Sequence, residues 1–285
     1  MIVWLTDIHL NFLKQPNSAM FFAESLAKEH PEATGLIITG DISTGRSVQK
    51  HLEQIAKGWK KPCYFTVGNH DFYGSSFAVV DRKVQQVCEE YPHMHWLNDG
   101  WHMHDGAVVI GVGGWYDAFY GNKKSPIELA DFVEIDDLRR VAYKNHDALL
   151  DEIRKKASDE SDTLAKMMKV ACEESDTIIV CTHVSPYRES SWHMGKPSDD
   201  DWVPWFASKS TGTVLDIYAK RYPQKKFIVL TGHSHSPGIF EKYDNLIVFT
   251  GKAKYGFPDV AGNIDINARV VSAYDQNNKP INVNF

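Results

Sequence analysis

Cys63-Tyr64-Phe65-Thr66-Val67-Gly68-Asn69-His70-Asp71 is an apolar run that stops abruptly in an amide, an imidazole and a carboxylate. The run has the length and composition of a buried strand. Three strongly polar side chains at its end would be costly to desolvate unless something there engages them. The same design recurs along the chain. Ile2–Thr6 runs into Asp7-Ile8-His9, Gly35–Thr39 into Gly40-Asp41, Thr177–Thr182 into His183, and Phe227–Thr231 into Gly232-His233-Ser234-His235. An open α/β sheet binds its ligands beyond the carboxyl ends of its strands, so these donors are expected to meet at one edge.

Each donor suits a metal site. Asp7 and His9 are two residues apart, so an extended strand end points both to one side, and His233 and His235 repeat that spacing. Asp41 has two oxygens with which to bridge two cations, Asn69 offers a neutral amide oxygen, and Gly232 permits close backbone approach. Imidazole, carboxylate and amide together suit Mn, Fe, Zn, Ni or Co better than Ca or Mg, and are the wrong set for a thiolate zinc site. The expectation is a two-metal hydrolytic centre.

Around these motifs, helical patterns are read over roughly Asn17–His30, Ser47–Gly58, Val79–Glu90, Asp136–Ser175 (one helix or two) and Thr211–Arg221. Further strands are expected at Ala107–Val112 and Asn245–Thr250. The early β-α-β-α-β alternation predicts a parallel sheet, and the closely spaced later strands a second sheet packed on it. With 285 residues, 43% of them apolar, and no linker or repeat, residues 1–285 are expected to form a single domain.

The ordered motifs resemble those of the calcineurin-like metallophosphoesterases, and the resemblance spans Asp7 to His235. It implies a four-layer α-β-β-α fold, two mixed sheets packed as a sandwich with flanking helices. It also implies that Asp7, His9, Asp41 and His235 hold one divalent or transition metal ion, and Asp41, Asn69, His183 and His233 a second. His70 becomes the acid and phosphate contact, with Asp71 orienting its ring. The protein-phosphatase members follow Gly-Asp with a further Asp and Arg and end the next motif in Asn-His-Glu. Here Gly40-Asp41 continues Ile42-Ser43-Thr44-Gly45-Arg46 and the later motif ends in Asp71. The sequence is therefore similar to the phosphodiesterase-like branch, which implies hydrolysis of a small or nucleotide-like phosphodiester by metal-activated hydroxide. The alternatives are a phosphomonoesterase, a nuclease and an inactive binding scaffold. A scaffold would show a lost ligand, and none of the positions is lost.

A net charge of −6 argues against general nucleic-acid binding, which needs a basic field. No run approaches a membrane span, and Ile2–Leu5 is too short for a signal segment. Cys63, Cys88, Cys172 and Cys181 lack paired spacing, with Cys63 and Cys181 reading as core thiols. These features point to a reducing cytoplasm.

Other residues carry weaker signals. His93, His95, His102 and His104 flank Leu97-Asn98-Asp99-Gly100 and read as a hairpin with alternating faces, without carboxylate or thiolate to complete a metal site. Arg188 and His193, in the loop begun by His183, are candidate substrate contacts, against a surface salt bridge. Asp199–Asp201 reads as a helix cap. The irregular segments 113–132 and 186–210 are rich in aromatics. They are expected either to cover substrate or to pack on the domain or on a second subunit, which leaves a homo-oligomer open.

Overall fold

The computed structural model describes residues 1–143 and 145–285. Its frame is two mixed sheets. In the first, Ile2–Leu5, Gly35–Thr39, Cys63–Thr66 and Met94–Trp96 run parallel in that order; on the other side of Ile2–Leu5, Val260–Asp265, Val270–Tyr274 and Pro280–Asn284 add antiparallel. In the second, Leu246–Thr250, Lys226–Thr231, Thr177–Cys181 and Ala107–Gly111 form a parallel core. Gly238–Tyr243 and His102–His104 are its antiparallel edges.

Alternation along each central strand explains the layering. Ile2, Trp4, Ile37 and Tyr64 of the first sheet meet Val109, Ile179, Cys181, Ile228, Leu230 and Phe249 of the second in a core between the sheets. Their neighbours Val3, Leu5, Leu36 and Ile38 point outward beneath helices Ser18–Glu29, Val48–Trp59 and Phe77–Glu90. Ile178, Val180, Phe227 and Val229 point outward beneath His146–Glu174 and Lys209–Arg221. Strands buried on both faces read as unbroken apolar runs, which is why their positions were clear from sequence. The result is the expected four-layer α-β-β-α sandwich. Asp136–Ser175 resolves into two helices, Asp136–Ala142 and His146–Glu174.

Two features differ from the sequence reading. The C-terminal strands within 260–284 are absent from the sequence pattern; they are partly exposed and polar on one face, so they lack the apolar signature. The residues around His93–His104 are not a hairpin. Met94–Trp96 joins the first sheet and His102–His104 the second. Met94 and Trp96 bury beneath the outer helices, while Leu97 enters the core between the sheets. Bridging the two sheets buries all three, and that outweighs local pairing across a turn.

Candidate metal centre

Because the strands carrying the motifs are parallel within each sheet, their carboxyl ends open at one edge, where the loops lock together. Asp7 N–H donates to the Gly40 carbonyl (3.1 Å) and His9 N–H to that of Asp41 (2.9 Å); Gly232 N–H donates to that of His183 (2.9 Å). A Cβ at Gly232 would collide with the Asp7 carboxylate, and one at Gly68 with that of Asp41. Five donor residues adopt left-handed backbone: Asp7 (φ 49°), His9 (41°), Asp41 (50°), His233 (68°) and His235 (56°). Such conformations are uncommon outside glycine and cluster at functional sites.

Six of the seven donors form two groups that share Asp41, and the seventh, His233, has its ring centroid 5.0 Å from that of His183. In the first, the Nε2 atoms of His9 and His235 are 3.1 Å apart. His9 Nε2 lies 3.7 Å from Asp41 Oδ2, and His235 Nε2 3.3 Å from Asp7 Oδ1. One donor atom from each of these four residues falls within 4.8 Å of every other. In the second, His183 Nε2 lies 3.3 Å from Asp41 Oδ1 and 3.1 Å from Asn69 Oδ1.

Hydrogen bonds fix which atoms are free to bind. His183 Nδ1 donates to the Thr39 carbonyl (2.9 Å) and His233 Nε2 to the Trp205 carbonyl (3.0 Å). This leaves unprotonated Nε2 on His183 and Nδ1 on His233. Asn69 Nδ2 donates to Asp131 Oδ1 (2.9 Å), so its amide oxygen faces His183. With Asp41 ionised, the lone pairs of His183 Nε2, Asn69 Oδ1 and Asp41 Oδ1 converge with no proton among them. That is repulsive unless a cation sits between them, so the donor set fits a metal pair.

The electrostatics agree. Burial lowers His9 and His233 to about 3 and His70 to about 4, so these rings are neutral and free to ligate near neutral pH. Burial, with Asp7 and Asp71 nearby, drives Asp41 well above the usual carboxylate range. Burial also raises Asp7, but His235, His183 and His9 outweigh it and hold that carboxyl low.

The remaining candidates separate. His70 stacks on Tyr73 (centroids 4.2 Å) and places Nε2 3.9 Å from Asp41 Oδ2. Asp71 does not orient that ring. Its two oxygens accept backbone N–H groups of Ile42 (3.2 Å), Ser43 (2.7 Å) and Gly68 (2.9 Å), stapling the Asp41 loop to the Asn69 loop. His193 lines a cavity of about 470 Å³ beside His233 and His235, with Trp202, Phe206 and Tyr255 in its walls. Arg188 instead pairs with Asp200 (2.6 Å) at the surface. The expected cap at Asp199–Asp201 is not formed: helix Val203–Phe206 has Trp202 at its N-cap without a side-chain bond, and Asp199 instead accepts from the N–H groups of Asp201 and Trp202 in the turn before it.

Sequence reasoning missed Asp131. Fully buried, it accepts from Asn69, from the Tyr73 hydroxyl (2.5 Å) and from the Tyr116 hydroxyl (2.7 Å). It aims the amide of one candidate ligand and holds the ring beneath His70. No motif surrounds it; only its place in the aromatic segment 113–132 hinted at a role.

A family model described as calcineurin-like phosphoesterase matches residues 1–237. The chain belongs to that family. Calcineurin-like phosphoesterases work with paired divalent metals, and the protein is a phosphoester hydrolase. No curated protein sequence matches it. Among solved structures, a phosphopantetheinyl hydrolase from Mycobacterium tuberculosis is similar at 17% identity, TM-score 0.62, covering 89% of each chain. A dimetal phosphatase from Danio rerio is similar at 10% identity, TM-score 0.60, covering 100% of this chain and 98% of its own. GAP50, described as the anchor in the inner membrane complex of Plasmodium, is similar at 13% identity and TM-score 0.52, covering 100% of this chain and 87% of its own. At these identities the likeness is one of fold, and the same fold serves hydrolases and an anchor.

Proposed function

We propose that the protein hydrolyses a small or nucleotide-like phosphodiester. Asp7, His9, Asp41 and His235 would hold one metal, and Asp41, Asn69, His183 and His233 the other. The observation that carries the reading is the convergence of donors on both sides of Asp41, with His183, His233 and Asn69 each oriented by a bond to the protein behind it. Paired metals, when bound, supply a hydroxide nucleophile near neutral pH and neutralise charge on the phosphate.

The protein's own groups do the rest. Gly40, Gly68 and Gly232 let the donor loops close on one another, and Asp71 fixes two of them. His70 faces the centre across Asp41 and meets the leaving oxygen. Burial keeps its ring neutral when free, and an anionic phosphate beside it raises its basicity. Trp202, 43% exposed on the cavity wall, is placed to cover the second ester group. Trp192 is not: its indole packs over Gly238. Trp115 and Tyr116 are buried, so segment 113–132 supports the site from behind while 186–210 forms its wall. The names of the similar structures divide between a phosphopantetheinyl hydrolase and a phosphatase, so they do not choose between ester classes.

We read the chain as one domain because Val260–Asp265, beyond the matched residues, pairs directly with Ile2–Leu5. A reducing compartment such as the cytoplasm is supported by four free cysteines, three of them buried. Among the described residues no helix is long and apolar enough to cross a membrane.

The test compares bis(4-nitrophenyl) phosphate with 4-nitrophenyl phosphate under identical metal loading. The diester is expected to give the higher kcat/KM. A monoester preference of about tenfold or more, about 1.4 kcal/mol in barrier, would reassign the protein as a phosphomonoesterase.

A further inference from the structure

Two cavities of unlike chemistry reach His235. The first, about 470 Å³, has the aromatic wall of Trp202, Phe206 and Tyr255. The second, about 1030 Å³ and more open, is lined by Met194, Lys252, Lys254, Phe257 and the turn Gln276–Asn278. A small hairpin separates them: Trp192–His193 pairs with Lys196–Pro197. Met194 (φ 47°) and Gly195 (φ 78°) form its tight left-handed turn. His193 and Lys196 face the aromatic cavity, while Met194 and Gly195 face the other.

The hairpin is built to stay in place. At its base Ser198 N–H donates to the Ser191 carbonyl (2.7 Å), and the two serine hydroxyls bond (2.9 Å). Trp192 is seated on Gly238. The far wall of the second cavity, 252–259 and 276–278, lies beyond the residues matched by the family model.

Charge distinguishes the second cavity further. Lys252 is committed, 3.3 Å from Asp259 and over the Tyr274 ring. Lys254 is exposed, rests over the Phe257 ring at 4.6 Å, and has no carboxylate within ion-pair distance among the described residues. In the first cavity, Lys196 shares the wall with Asp199, so local charge there balances.

Resting on the diester reading above, we propose that the substrate is an asymmetric phosphodiester, with a planar aromatic arm against Trp202 and Phe206 and an anionic arm reaching Lys254. A phosphate at the metal centre has its two ester arms diverging, and the hairpin sends them into different cavities. Stacking on exposed aromatic surface selects the first arm, and a charge-assisted contact with an unpaired ammonium selects the second.

The experiment uses three 4-nitrophenyl diesters whose second arm is propyl, 3-phosphopropyl or 3-carboxypropyl, on metal-loaded wild type, Lys254→Met, Lys254→Arg and Trp202→Ala. Wild type should favour one or both anionic arms over propyl in kcat/KM by about fivefold, the scale of a partly exposed ion pair. The preferred terminus tells phosphate from carboxylate. The preference should disappear in Lys254→Met, persist in Lys254→Arg, and shrink with added salt. Trp202→Ala should raise KM for all three diesters while leaving the preference among them. Equal kcat/KM for all arms in wild type, or an undiminished preference in Lys254→Met, overturns the inference while leaving the diester reading standing. Turnover of 4-nitrophenyl phosphate with none of the diesters overturns both.

Discussion

Two regions of this molecule are rich in histidine, and they have opposite physics. At the strand ends, His9, His183, His233 and His235 converge on Asp7 and Asp41, with the unprotonated nitrogens of His183 and His233 fixed by bonds behind the rings. At the seam where the sheets meet, His95 and His102 lie 4.2 Å apart, His95 stacks on Tyr64 (5.2 Å), and His104 bonds the Tyr64 hydroxyl (3.0 Å) and Thr34 (2.8 Å). His104 is bonded to two hydroxyls with one carboxylate, Asp105, 3.5 Å away, while His95 and His102 are held by ring contacts with Tyr64 and with each other. A cluster of histidines is a metal site when several carboxylates and oriented ring nitrogens face one point, and packing when the rings stack and hydroxyls take the nitrogens.

The comparison breaks most severely at Asp41, which both groups of the centre share. Asp41→Asn should lower kcat/KM by roughly 10³-fold or more, since metal-based charge stabilisation is worth several kcal/mol, and should reduce bound metal as counted by elemental analysis. Full activity in rigorously stripped Asp41→Asn protein would end the two-metal reading.

His70 sharpens the picture because it lies in the centre without belonging to a donor group. His70→Ala should keep both metals and lose roughly 10² to 10⁴ in kcat, with the loss smaller for esters with good leaving groups. A lost metal equivalent, or equal losses across leaving groups, would show that the ring does something else.

Asp131 tests whether orientation behind a ligand matters as much as the ligand. Asp131→Asn replaces an acceptor facing three donors with an amide that competes for them. Metal affinity at the Asn69 side should weaken by about 10- to 100-fold, the range for groups that orient ligands, while Tyr73→Phe should cost less because Asn69 stays held. Unchanged metal titration in Asp131→Asn would reduce Asp131 to a packing residue.

Whatever was apolar and continuous, or local in sequence, could be read from the chain. The central strands announce themselves through unbroken burial, and Asp7-x-His9 and His233-x-His235 through their place just past a strand, although left-handed backbone rather than an extended strand end brings each pair to the centre. What could not be read depends on contacts distant in sequence. Asp131 finds Asn69 only because segment 113–132 folds behind it, 62 residues away. Asp71 sits next to His70 yet serves Ile42 and Ser43 across the loop, so adjacency in the chain misled. The histidines around 93–104 looked like a hairpin because local turn chemistry was legible while the pull of Leu97 into the inter-sheet core was not. Arg188 finds Asp200 through the fold of its own loop, which no spacing announced.

The smallest effect is expected at the seam. Burial, and then His95 beside it, lowers His102 to about 4, and burial lowers His95 and His104 as well. The groups around them are His93, which opposes charge on His95, and Asp105, which favours it on His104 against the N-terminal amine. Tyr64 lies between the rings as a neutral partner. The unfolded chain takes up protons near pH 6.5, whereas in the fold His102 does so only near 4 and His95 and His104 below their ordinary range. Stability from these rings is therefore complete above pH 6.5 and lost as pH falls toward 4. Urea unfolding of metal-stripped protein at pH 7.5 and pH 5 should show a smaller pH-dependent loss in His102→Gln than in wild type, with metal binding and kcat unchanged by the substitution. Equal losses in the two proteins would mean that His102 titrates normally in the fold, and reduced metal content in the variant would mean that the seam and the centre are coupled after all.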